Sequence, residues 1–165
     1  MRPLFLMLIA IALPLGGCNR NTALGNDREA QIDPAPTPAP VENAAAALDN
    51  VSVALIKPET MSTTDLAALG GLTGKCAIRL TEVGHPSFVY RPGDSGVIKL
   101  NGKLIPLPAV AKNRFEDSGL SVTLFPNGDT GDAGLPGMNM VLVPPGAEDE
   151  LGYSGFADCA KGGVG

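Results

Sequence analysis

The sequence predicts an all-β domain, a small antiparallel barrel or sandwich with one short N-terminal helix, and three observations carry that prediction. From Gly74 onward, apolar segments of five to seven residues are separated by clusters of Gly, Pro, Asn and Asp. The string "VIKLNGKLIPL" places Asn101-Gly102 between two apolar runs, and that pair suits a type I′ hairpin turn because both central positions need positive φ. Helix-start and helix-stop signals occur together only once, in "STTDLAALGG".

The chain before this domain reads differently. Arg2 is followed by an unbroken apolar run, Leu4 to Leu13, too short for the roughly 20 residues a membrane-spanning helix needs. Residues 1–17 are therefore expected to be a signal peptide. Leu15-Gly16-Gly17 leads directly into Cys18, and "LGGC" resembles the lipobox of bacterial lipoproteins. The resemblance implies a diacylglyceryl group on the Cys18 sulfur, cleavage just before that residue and acylation of the new amino terminus. The competing reading is an ordinary signal peptide with a chance cysteine. Each buried methylene contributes about 0.8 kcal/mol, so two or more acyl chains would tether the protein stably where one would not. Asn19 stands where the family's inner-membrane retention signal has Asp, which implies sorting to the outer membrane, with the domain facing the periplasm.

With Cys18 lipidated, the three cysteines of the chain leave Cys76 and Cys159 as a pair in an oxidising compartment. A disulfide between them would close a loop of 83 residues, worth on the order of 4.5 kcal/mol from chain entropy. Two buried free thiols or half a metal site are the alternatives, although the sequence holds no CxxC and His85 is its only histidine.

Residues 18–50 contain "DPAPTPAPVENAAAA", a Pro/Ala alternation that favours polyproline II and reads as a disordered spacer. At about 3.1 Å per residue its reach is up to about 100 Å. "AAAALDN" offers a transient helical turn with no chemistry on it. Residues 51–165 form the single globular domain. "VSVALI" reads as a short strand ended by Lys57-Pro58. In the helix that follows, Ser62 or Thr63 is the N-cap, Asp65 lies in the first turn, Leu66 and Leu69 make an apolar pair, and Gly70 is the stop.

Strands are then expected over Cys76–Thr81, Ser87–Arg91, Gly96–Leu100, Lys103–Leu107, Leu120–Phe125, Met138–Val143 and Tyr153–Cys159. A two-residue turn at Asn101-Gly102 pairs Ile98 with Ile105 and Leu100 with Lys103, gathering Ile98, Leu100, Ile105 and Leu107 on one face. Pro106 cannot donate to a ladder, so it belongs at an edge or a bulge. With five Phe, two Tyr and no Trp, the core must be built mostly from Leu, Val, Ile and Ala.

Charge narrows the partners. Without Arg2 of the signal peptide, 11 basic side chains face 17 acidic ones, a mature charge of −6. Such a chain has no electrostatic footprint for nucleic acid. It has no basic cluster for anionic lipid either, so membrane attachment rests on the acyl chains.

Several strings suggest chemistry and then lack its remainder. "GDSG" at Gly93–Gly96 surrounds the nucleophile in trypsin-like proteases, yet His85 lies only ten residues upstream and a Ser95–Lys99 dyad would be about 13 Å apart along a strand. Ser95 reads as a turn residue. "GGLTGKC" has Leu69 and Cys76 where a phosphate loop needs Gly and Ser or Thr. "NGDTGDAG" invites calcium at Asp129 and Asp132, but an EF-hand loop begun at Asn127 would put Met138 in the place of the bidentate Glu, and a solvated loop is the other reading. No spacing rule joins Glu82 to Glu116 and Asp117 as a hydrolytic pair. "GAEDEL" holds Glu148, Asp149 and Glu150, read either as a solvated turn or as an acidic knob for a basic partner, acting alone or with Asp129 and Asp132. No cofactor, metal ligand set or small-molecule substrate is indicated.

The domain resembles the membrane-bound inhibitors of C-type lysozyme through "IKLNGKLIPLP" and the later "LSVTLF". That resemblance implies an eight-stranded barrel whose loop plugs a sugar-hydrolase cleft. The family's Ser-Gly-x-x-Tyr pattern would fall at Ala111–Phe115, which reads "AKNRF", so no inhibitory residue carries over. The expected function is a non-enzymatic, lipid-anchored envelope lipoprotein that binds another protein, with a lysozyme-like hydrolase as one partner. The alternatives are a structural or assembly component of the envelope and a small hydrolase.

Overall fold

Eight antiparallel strands, each hydrogen-bonded to the next in sequence, close into a barrel within residues 36–159, the part of the chain that the computed structural model describes. They are β1 (Cys76–Arg79), β2 (Phe88–Arg91), β3 (Ser95–Leu100), β4 (Lys103–Ala111), β5 (Arg114–Asp117), β6 (Leu120–Thr130), β7 (Pro136–Val143) and β8 (Leu151–Cys159). The expected signal peptide, the lipidation site Cys18 and the first half of the spacer lie outside the described residues.

The Asn101-Gly102 turn takes positive φ at both positions, 48° and 69°, and sets the expected register, with Leu100 opposite Lys103 and Ile98 opposite Ile105. Side chains alternate across each strand. Ile78, Ile98, Leu107, Val122 and Leu142 point inward and are fully buried. Phe88, Tyr90 and Phe115 meet in the interior, with Phe88 stacked on Tyr90 at 5.5 Å and edge-on to Phe115 at 5.1 Å. Side chains fill this barrel.

Gly96 makes room for that aromatic group. It is an inward position of β3, and a Cβ there would lie 2.3 Å from the Phe88 ring. Phe88 is held by two other rings and cannot swing aside. Gly96→Ala should therefore cost about 1–3 kcal/mol of overpacking, read as a lowered urea midpoint. An unchanged midpoint would mean that the aromatic group is loosely held.

Residues 36–50, assigned to the spacer on composition, instead belong to the folded unit. Val41 bridges Leu104 in parallel, with Glu42 N–H donating to Leu104 O and Leu104 N–H to Pro40 O. The segment occupies the place beside β4 that the four-residue β5 leaves open. Because Leu104 N–H points away from β3, strand alternation turns the nitrogens of Pro106 and Pro108 the same way, and β5 pairs with β4 only at Ala109 and Ala111, where the register shifts. Both prolines thus fall where no ladder donor is required.

The alanine run forms helix α1 (Ala44–Ala47), capped by Asn43, whose Oδ1 accepts the Ala46 N–H. Ala44, Ala47 and Leu48 are buried in the main core, small enough to enter the barrel mouth, so α1 is a plug. "VSVALI" is not a strand. Val53–Leu55 is a 3₁₀ turn with Leu55 68% exposed; Ile56 is buried in the core and Val51 packs against it.

Helix α2 (Thr63–Ala68) begins at the expected cap. Ser62 Oγ accepts the Asp65 N–H, and the Asp65 carboxylate accepts the Ser62 N–H, a reciprocal capping box. With Met61, Leu66, Leu69 and Leu72 it covers the outward residues Ala77, Val89, Val97 and Leu104 of the first four strands. Asp65 is 1% exposed and ties this layer together, also accepting the Ala39 N–H at 2.6 Å and the Lys99 ammonium at 2.8 Å. Burial alone would push its carboxyl up, but Lys99 and the Ala39 and Ser62 amides outweigh burial and hold it well below the usual carboxylate range.

Cys76 and Cys159 are bonded, and they lie directly opposite one another where β8 meets β1. The expected disulfide therefore bridges the closing seam of the barrel.

Candidate functional site: an acidic rim at the plugged end

In a meander barrel the connections alternate between the two ends. The 101–102 turn, the 118–119 turn and the 144–150 loop share one end; the 92–94 and 112–113 turns and the 131–135 loop share the other. Contacts agree with this placement. A Cβ on Gly119 would lie 3.6 Å from Pro145, and at the other end Gly93 N–H donates to Lys112 O.

Helix α1 plugs the first end, and the carboxylates around it fall into two groups. One group holds the scaffold. Asp117 Oδ2 accepts the Ala44 N–H at 2.9 Å, Glu59 accepts the Gly102 N–H at 3.0 Å, and Glu42 pairs with Lys103. The other group is Glu148, Asp149 and Glu150, all exposed on the loop between β7 and β8. Among the described residues none of these three forms an ion pair or a side-chain hydrogen bond. Pro144, buried, and Gly146, with φ 70°, shape the turn that carries them outward.

The other residues singled out in the sequence are scattered. Asp129 and Asp132 lie on the β6–β7 hairpin, at the end opposite Glu148–Glu150, so the structure does not bring the two acidic groups together. Asp129 N–H is turned onto Asn127 Oδ1, and Glu82 binds the Ala133 N–H of the same hairpin at 2.9 Å, far from Glu116 and Asp117. Among the described residues, no three His, Cys, Asp or Glu side chains gather as a metal ligand set would require. His85 is exposed in the β1–β2 loop. Ser95 opens β3 opposite Arg91, and its hydroxyl donates to Asp94 at 3.3 Å. Lys99 is committed to Asp65 and is not available to Ser95 as a base.

The family profile described as "Domain of unknown function (DUF6692)" matches residues 14–162. The chain belongs to the DUF6692 family. No curated protein and no solved structure matches it. The DUF6692 match takes in Leu15–Cys18 and the spacer as well as the barrel. Among the described residues no helix is long and apolar enough to cross a membrane.

Sequence reasoning recognised Asp65 as a helix-start acid and missed its link to Lys99. The S-x-x-D spacing at Ser62–Asp65 was the available signal for the cap. Nothing local points from position 65 to position 99.

Proposed function

We propose that this DUF6692 protein is a lipid-anchored cell-envelope lipoprotein, tethered through Cys18 to the bacterial outer membrane on its periplasmic side. Its barrel is a non-enzymatic binding module that offers the acidic rim Glu148–Glu150 to a basic protein partner. The observation that carries this reading is three adjacent exposed carboxylates without partners among the described residues, raised on a loop at the plugged end. Two further features support it: side chains fill the barrel interior, and the family match spans the lipobox-like string as well as the folded domain.

The partner chemistry follows from the charge. A surface carrying uncompensated carboxylates steers a cationic protein toward it, and such an interaction weakens as salt rises. A basic lysozyme-like hydrolase fits, and the likeness of "IKLNGKLIPLP" to the lysozyme inhibitors favours it as the first to try.

The test is the lytic rate of a C-type lysozyme with micromolar full chain added. The expected result is a slowed rate that recovers with added salt and with the charge-reversed variant E148K/D149K/E150K. An unchanged rate removes the inhibitor reading, and equal slowing by the variant removes the rim as the contact surface.

A further inference from the structure

At the end of the barrel opposite the acidic rim lies a recess of about 190 Å³ between the end of α2 and the β2–β3 hairpin. Leu69, Val89 and Val97 supply its apolar walls, and Lys75, Arg91 and Ser95 supply its polar groups. Two of the strings that failed as motifs, "TGKC" and "GDSG", meet here.

Arg79, Lys99, Lys103 and Arg114 each pair with a carboxylate at 3.0 Å or less. Lys57 and Lys112 are exposed cations without a carboxylate partner among the described residues, but Lys75 lacks one while half-buried. Its ammonium donates to the Leu69 and Gly71 carbonyls at the end of α2, which uses two of its three N–H groups. Arg91, on the adjoining strand, is held only by a 4.0 Å contact to the exposed Asp94. Burial lowers the Lys75 pKa, and the nearby Arg91 charge lowers it further. Two positive charges thus face one recess whose lining holds no carboxylate, with Asp94 just outside it at 4.0 Å from Arg91, an arrangement that an anion would relieve.

We propose that this recess binds a small anion, a carboxylate or phosphate on a short apolar stem, held by Lys75 and Arg91. The third Lys75 N–H and the Arg91 fork would take the anionic oxygens, beside Ser95, whose hydroxyl is turned to Asp94. Leu69, Val89 and Val97 would cover the apolar stem. A volume of about 190 Å³ admits only a small group, below the roughly 300–1,000 Å³ of drug-sized pockets. The site stands apart from the acidic rim and does not depend on it.

The experiment is a titration of the ¹⁵N-labelled full chain with butyrate and, separately, with inorganic phosphate, followed through the backbone amides of Lys75, Arg91, Ser95 and Gly96. Saturable shifts confined to these amides, with a midpoint in about the millimolar range, are expected for at least one anion. Which anion saturates identifies the headgroup chemistry. Lys75 also caps α2, so its removal endangers the fold. Arg91 is 54% exposed and carries the test instead. Arg91→Gln should weaken binding about tenfold, while Lys112→Gln, at the same end of the barrel, should leave it unchanged. Non-saturating shifts for both anions, or equal weakening by the two variants, would overturn the proposal.

Discussion

Replacing Cys76 and Cys159 together by Ala should lower the unfolding free energy by about 2–5 kcal/mol. The reason lies in where the bridge sits. Seven of the eight strand-to-strand contacts join neighbours in sequence across short connections, whereas β8 meets β1 with Cys159 standing 83 positions after Cys76. That seam is four residue pairs long, from Cys76 with Cys159 to Arg79 with Phe156, because β1 itself has four residues. The Arg79–Asp158 ion pair crosses it at 3.0 Å but is partly exposed and contributes little. The disulfide therefore covalently fixes the one strand pairing that the chain has to close over a long loop. Urea unfolding with and without reductant measures the effect. Amide exchange in the reduced protein should rise first at Ala77 and Asp158. Coincident curves in the two conditions would show that the seam holds without its covalent link.

Asp65→Ala should cost about 3–5 kcal/mol, the magnitude for breaking a buried pair by removing one partner. Three separate parts of the chain converge on this carboxylate: the strap at Ala39, the α2 cap at Ser62 and the β3 lysine at position 99. Its loss strands the half-buried Lys99 ammonium and leaves two amides without acceptors. The same residue fixes a pH dependence. Its folded-state pKa is depressed, so its contribution is fully present above the unfolded value near 4 and fades as pH falls through the folded one. The stability difference between wild type and Asp65→Asn should thus be level from pH 7 to pH 5 and shrink only in stronger acid. A difference that vanished already by pH 5 would contradict the network.

The parts of the fold legible in the sequence were those written locally. Asn101-Gly102 fixed a turn and with it a register, and Ser62 with Asp65 marked a helix start. The interior strands could be found by their apolar content. β5 could not, since Arg114-Phe115-Glu116-Asp117 buries a single ring and shows charge at its other positions. The plug was missed for a related reason. Four alanines after a Pro/Ala run look like spacer, and only the diameter of a barrel mouth makes small residues the right ones to bury. The strand expected at Val53 failed because its alternation has no sheet to lie on; Leu55 faces solvent. At the sites, Glu148–Glu150 could be picked out as a run of acids, but which end of the barrel they occupy is a property of topology. The Lys75 and Arg91 recess was invisible for the same cause: fifteen residues of loop and strand separate two cations that a closed sheet brings to one wall.

Mass spectrometry of the amino-terminal peptide of the mature protein, purified from envelope membranes, tests the central claim most directly. A tethered barrel requires a chain beginning at Cys18, with a diacylglyceryl thioether on its sulfur and an acyl amide on its nitrogen. A mature chain that starts at another residue, or at Cys18 with a free thiol, would contradict it.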